Sequence, residues 1–271
     1  MDIGIFIFAT DSTMQPVELG REAEDRGFES IWLPEHSHIP SSLASNPRLP
    51  EYYWHSHDAV VALAAMAATT ERIRLGTGIT LVAQHDPIWL AKQVASLDVL
   101  SGGRVEFGVG FGWNREEMAH HGVDPRTRRQ LVTEKVRLMQ AIWTQDEAAY
   151  DGEMVRLEPS WSWPKPVQDP HPPIVLGAAV GPKNFDALFG FATGWIPFGS
   201  TFDEDYEAFL RECDRRGEDP DRFEVSVWAP DRDPATLESL RERGVRRAVF
   251  RIPSRSADEV RAEMDAVAAF L

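Results

Sequence analysis

The chain has 271 residues, enough to bury roughly three quarters of its unfolded surface and to hold together without disulfide or metal staples. Its one cysteine, Cys213, excludes an internal disulfide framework and a thiolate zinc cluster, and fits a reducing cytoplasm, where the protein is expected to reside. With 28 basic against 43 acidic residues the net charge is −15, which excludes nucleic acid held by a general positive field; the longest apolar run, Ala59 to Ala68, is far shorter than the ~20 residues of a membrane helix.

The N-terminus lacks the basic flank of a signal peptide and reads as a first strand, Asp2 to Phe8. A helix follows with Pro16 in its first turn, then a strand at Ser30 to Leu33. Directly after that strand stand Pro34-Glu35-His36-Ser37-His38, a carboxylate and two imidazoles at the end of an apolar run. Imidazole titrates near neutrality, so His36 is a candidate proton donor or acceptor, with Glu35 orienting it or the loop. The segment Pro34 to His57 is longer than ordinary connections and carries Tyr52, Tyr53 and Trp54, candidates for lining or covering an apolar pocket.

Asp58 is placed to cap the next helix. The third strand, Ile73 to Ile79, ends in Gly76-Thr77-Gly78-Ile79-Thr80, and glycines in a buried strand mark a bulge or a close approach of backbone to a flat ligand. A helix opening at Pro87 leads to the fourth strand, Val105 to Val109, which runs on into Gly110-Phe111-Gly112-Trp113-Asn114. Gly108 and Gly110 would clear space above the sheet, Trp113 could wall a planar ring, and Asn114 and Glu117 could reach a ring edge or substrate. The spacing is not the dinucleotide-binding fingerprint. After a helix from Arg128, residues 148–173 form a second long connection, with a hairpin turn at Tyr150-Asp151-Gly152-Glu153 and further pocket candidates in Trp161 and Trp163.

The fifth strand, Ile174 to Gly177, is followed by Ala178, Ala179, Val180, Gly181, Pro182 and Lys183 at a helix start. Small residues there leave backbone N–H groups free to face a phosphate. Strands at Trp195 to Phe198, Phe223 to Trp228 and Ala248 to Ile252 alternate with helices starting near Thr201, Asp233-Pro234 and the capping box Ser256-Ala257-Asp258-Glu259. Most strands are apolar on both faces, as parallel strands are. Eight strand–helix units of about 34 residues predict an α/β protein, a (β/α)₈ TIM barrel over residues 1–271 as a single domain, with insertions after strand two and around residues 148–173. A doubly wound open sheet is the competing topology.

Three stretches, Ala23 to His36, Leu75 to Ile79 and Leu97 to Gly110, together with Pro172 to Gly177 and Thr193 to Pro197, resemble the luciferase-like monooxygenase family, and within it the coenzyme F420-dependent oxidoreductase branch. The resemblance implies a barrel holding a deazaflavin, coenzyme F420, or alternatively FMN, at the carboxyl ends of its strands. It further implies a cis peptide bond between Gly78 and Ile79 behind the ring, Thr80 beside it, a carboxylate–imidazole pair at Glu35 and His36, phosphate contacts from Gly177, Ala178, Ala179 and Gly181, and a homodimer. The implied activity is hydride transfer between F420 and a small organic substrate, the alternative being an FMN-dependent monooxygenase using dioxygen. Trp113 stands where the glucose-6-phosphate dehydrogenases of that branch place a catalytic glutamate, and Pro40 where they place an aromatic, which argues against sugar phosphate oxidation. A reading from another class is a metal-dependent hydrolase, because His36 and His38, like His55 and His57, are spaced to face one side of an extended segment.

Overall fold

A computed structural model describes residues 1–44 and 49–271, so that residues 45–48 of the first long connection lie outside the described residues. Among the described residues ten strands form: β1 (Asp2–Phe6), β2 (Ser30–Leu33), β3 (Arg74–Thr77), β4 (Val105–Val109), β5 (Glu147–Asp151), β6 (Arg156–Trp161), β7 (Ile174–Leu176), β8 (Gly194–Trp195), β9 (Glu224–Trp228) and β10 (Arg247–Arg251). Eight of them close into one parallel barrel in the spatial order β1-β10-β9-β8-β7-β4-β3-β2. Closure rules out the open doubly wound sheet. The apolar character of both strand faces follows, because each barrel strand has helices outside it and side chains filling the interior; β2, β4 and β7 are buried at every residue.

The local start signals act as expected from backbone chemistry. Asp58 accepts from the N–H of Val61, Asp86 from those of Ile88 and Trp89 ahead of the helix Pro87–Ser101, and Ser256 and Glu259 cap each other reciprocally. β8 is shorter than the sequence predicts, since Pro197 offers no N–H; the ladder resumes where Phe198 bridges Trp228. The hairpin turn near Gly152 joins β5 and β6, which pair antiparallel outside the barrel, so β4 bonds directly to β7. Glu134 on the helix Arg128–Thr144 anchors that hairpin by accepting from the N–H groups of Met154 (2.7 Å) and Val155 (3.3 Å). Among the described residues no helix is long and apolar enough to cross a membrane.

The amino ends of the strands are closed by charge. Arg247, 1% exposed in the barrel interior, donates to both oxygens of Glu29 (2.6 Å each) and to Glu106 (3.2 Å), and lies over the Trp32 ring. Arg74 donates to Glu106 at 2.5 Å. Burial pushes the Glu106 carboxyl upward against the pull of these two cations, whereas for Glu29 the Arg247 pairing outweighs burial and holds it below the usual range.

Candidate active site

The carboxyl ends of the strands surround a cavity of about 530 Å³. Its lining includes Glu35 and His36 after β2, Gly78 and Ile79 after β3, Phe111 to Trp113 after β4, and Gly177 to Ala179 after β7. The Gly78–Ile79 peptide bond is cis, as the resemblance implies. Ile79 projects toward β4 and β7, and this decides what the neighbouring glycines do. A Cβ on Gly110 would sit 1.6 Å from Ile79 Cδ1, one on Gly177 2.7 Å from Ile79 Cγ2, and one on Gly108 1.9 Å from the carbonyl oxygen of Thr77. Gly108 and Gly110 therefore make room for the protein's own β3 turn, not for open space above the sheet, and neither lines the cavity. Thr80 is likewise behind the wall: its N–H donates to the Gly108 carbonyl (2.8 Å) and its carbonyl accepts from Gly110 (3.1 Å).

The two candidate catalytic residues part company. Glu35 does not touch the His36 ring; it accepts from the Leu81 N–H and pairs with His85 Nε2, both at 2.6 Å, and so secures the segment that follows Ile79. Burial opposes a charged His85, but the Glu35 carboxylate outweighs it and raises its pKa above the ordinary histidine value. The partner of His36 is Glu117, whose carboxylate lies 2.8 Å from Nδ1; the two side chains are 6% and 0% exposed. Burial would raise the Glu117 carboxyl, yet hydrogen bonds from His36 and the Ser37 N–H, with the nearby imidazoles, hold it below the usual range. An ionised Glu117 accepts, so Nδ1 of His36 carries hydrogen and Nε2 is the nitrogen left for the cavity. Asn114 is not a wall residue: its side chain caps the helix Arg115–His120 by accepting from the Glu117 N–H (3.1 Å), which fixes where Glu117 starts.

Ser37 continues the network outward, 2.9 Å from His38 Nδ1 and 2.7 Å from His121 Nε2, while His38 Nε2 meets His120. His36 and His38 thus turn to different partners, and among the described residues no group of three or more histidine, cysteine or carboxylate side chains is arranged to hold a metal ion. The spacing that favoured a metal-dependent hydrolase does not produce convergent ligands. Tyr52 and Tyr53 line the cavity, with Tyr53 5.3 Å and Trp113 5.6 Å from the His36 ring; Trp54, Trp161 and Trp163 do not, and Trp161 projects from the hairpin at 78% exposure. Phe6, Phe8, Phe198 and Trp228 are wall residues that the sequence reading missed.

Beyond β7 the small-residue turn is as expected at Ala178 and Ala179, whose N–H groups have no hydrogen-bond partner among the described residues, while the Gly177 N–H is spent on Val109 and Gly181 sits off the wall as the start of the helix Pro182–Phe191. Asn184 and Trp195 hold this turn by donating to the carbonyls of Ala179 (2.8 Å) and Ala178 (2.9 Å). Facing it is a cation pair absent from the sequence expectations. Arg129 donates to Asn184 (2.8 Å), and Arg128 lines the cavity with its buried Nε unpartnered. Burial and then the charges of Arg129 and Arg115 push Arg128 below its ordinary pKa. The run Arg126-Thr127-Arg128-Arg129 was the available signal in a chain of net charge −15.

The sequence profile described as luciferase-like monooxygenase matches residues 1–249, and the chain belongs to that family of oxidoreductases, whose members depend on either F420 or flavin. An uncharacterized protein of Mycobacterium tuberculosis is 42% identical over 282 residues, covering 100% of this chain and 99% of its own length. Among solved structures, the monooxygenase RslO1 from Streptomyces bottropensis superposes with a TM-score of 0.78 at 20% identity, covering 100% of this chain and 98% of that one. The coenzyme F420 dependent tetrahydromethanopterin reductase from Methanopyrus kandleri gives a TM-score of 0.74 at 18% identity, over 98% and 97% of the two chains. At these identities the structures speak to the barrel fold alone.

Proposed function

We propose that this family member is a coenzyme F420-dependent oxidoreductase acting on a small organic substrate. The observation that carries the reading is the cavity-facing Arg128, whose buried Nε has no partner and which lines the same cavity as the free N–H groups of Ala178 and Ala179: a cradle of donors and positive charge with no carboxylate within 4.0 Å of Arg128 among the described residues. Arg129 and the exposed Arg115 add positive charge near Arg128. A tail bearing a phosphodiester and then further carboxylates matches a cluster of three cations better than the single terminal phosphate of FMN, and this favours the deazaflavin.

When bound, the deazaflavin supplies a ring carbon that carries hydride and reacts poorly with dioxygen. Ile79, Gly78 and the turn after β7 would support the ring, and Ala178, Ala179, Arg128 and Arg129 would hold its anionic end. His36 would exchange the proton that accompanies hydride, through Nε2, while Glu117 keeps the imidazole oriented. Glu35 acts at one remove, by fixing the segment behind the ring.

The test is a titration of the purified chain with F420 and with FMN, followed by an activity screen with whichever binds, with and without dioxygen. The reading expects F420 to bind at least about 10-fold more tightly, by a difference of about 1.4 kcal/mol, and turnover that proceeds without dioxygen. Preferential FMN binding with turnover that requires dioxygen would replace it by a flavin-dependent monooxygenase.

A further inference from the structure

A second cation opens on the cavity, away from the first. Arg251 ends β10, which is separated from β7 by β8 and β9, and its in-register neighbour on β1 is Phe6. Every other arginine from Arg232 to the C-terminus is paired with a carboxylate. Arg251 alone in that stretch has no carboxylate within 4.0 Å among the described residues. Its Nη2 donates to the Tyr52 hydroxyl at 2.5 Å, and its guanidinium lies 5.7 Å from the Tyr52 ring, so the fork is oriented by an aromatic without being neutralised.

What surrounds it is flat and apolar. Phe6 stacks on Trp228 at 4.0 Å between centroids, and Phe8 packs on Tyr52 and Tyr53 at 4.9 and 4.8 Å. Glu35, the carboxylate on this part of the wall, is already occupied by His85 and the Leu81 N–H. A ligand here meets aromatic faces, a guanidinium with no carboxylate partner among the described residues and the His36 imidazole.

Building on the oxidoreductase reading, we infer that Arg251 anchors a carboxylate on the substrate, so that the enzyme acts on molecules with a planar or apolar body and one anionic group. The aromatic wall takes the body, Arg251 takes the carboxylate at the rim, and the reacting carbon is left between His36 and the ring site over Ile79. With Arg128 and Arg129 serving the cofactor on the β4 and β7 side, the two anions occupy separate parts of the mouth and do not compete.

The experiment measures, by calorimetry, binding of benzoate, 2-naphthoate and decanoate and of their uncharged amides to the F420-loaded protein. The same pairs are measured in Arg251→Gln and Arg251→Lys. The expected result is that at least one acid binds about 10-fold more tightly than its amide, the size of one charge-assisted hydrogen-bonded contact. Arg251→Gln is expected to abolish that preference and leave amide binding and F420 affinity within twofold, while Arg251→Lys retains part of it. The proposal is overturned if no acid is bound more tightly than its amide, if the preference survives in Arg251→Gln, or if that variant loses F420 affinity about 10-fold, which would give Arg251 to the cofactor tail. Failure of the chain to bind F420 or FMN would fail the oxidoreductase reading instead; the acid–amide comparison on the cofactor-free chain then still reads Arg251 by itself.

Discussion

The two ends of the barrel treat charge in opposite ways. At the amino ends of the strands, Arg247 and Arg74 face Glu29 and Glu106, two cations against two carboxylates in the buried interior. At the carboxyl ends, Arg128 has a buried nitrogen with no partner and Arg251 has only a tyrosine hydroxyl. The first supplies the compensating charge from the chain itself, whereas the half-buried Arg128 and the exposed Arg251 have no carboxylate within 4.0 Å among the described residues. Charges that a fold completes internally hold the fold together, and charges it leaves open at a cavity wait for a ligand.

That contrast can be broken by exchanging the effects of the two ends. The largest expected consequence is for Arg247→Leu, which leaves Glu29 without its cation and Glu106 with Arg74 alone; a loss of about 3–5 kcal/mol in urea unfolding is expected, with cofactor affinity of the folded protein unchanged. Arg128→Gln is expected to do the reverse, weakening F420 binding about 10- to 100-fold, by roughly 1.4–2.8 kcal/mol, with no loss in the unfolding midpoint. If Arg247→Leu impaired binding specifically, or Arg128→Gln unfolded the protein, the division between ends would be wrong.

Two smaller effects sharpen it. Replacing Glu117 by Ala removes the acceptor that orients the His36 ring, so turnover is expected to fall about 10-fold while KM changes little, and Glu117→Gln, which keeps an acceptor, is expected to restore part of the rate. Besides His36 with Glu117, the mouth contains a second carboxylate–imidazole pair, Glu35 with His85. Because the folded pKa of His85 is raised above 6.5, the stability this pair contributes is complete below about pH 6.5 and is lost as pH rises through the folded value. Glu35→Gln is expected to flatten that decline, seen as a smaller difference in unfolding midpoint between acid and mildly alkaline buffer.

The barrel was legible because its signals are local. Paired start residues such as Asp58 and Ser256 with Glu259, and strands apolar on both faces, need no knowledge of long-range contacts. The site was legible in part. His36, Gly78, Ile79, Ala178 and Ala179 lie where strand ends put them, since every strand end of a parallel barrel points to one mouth. What escaped depends on partners distant in sequence: Glu117 meets His36 across 81 positions, and Arg251 reaches Tyr52 across 199. The glycines misled for a related reason. Gly108 and Gly110 mark a close approach, as glycines in strands do, but the approaching group is the chain's own Thr77 carbonyl and Ile79 side chain, and sequence spacing cannot distinguish a neighbour from a ligand.

The most direct test of the central claim is a crystal structure of the chain with F420. The account expects the ring against Ile79, with His36 Nε2 facing the space above it, and the phosphodiester within hydrogen-bond distance of Arg128 and of the N–H groups of Ala178 and Ala179. A phosphodiester bound elsewhere, with the Arg128 Nε still unpartnered, would contradict it.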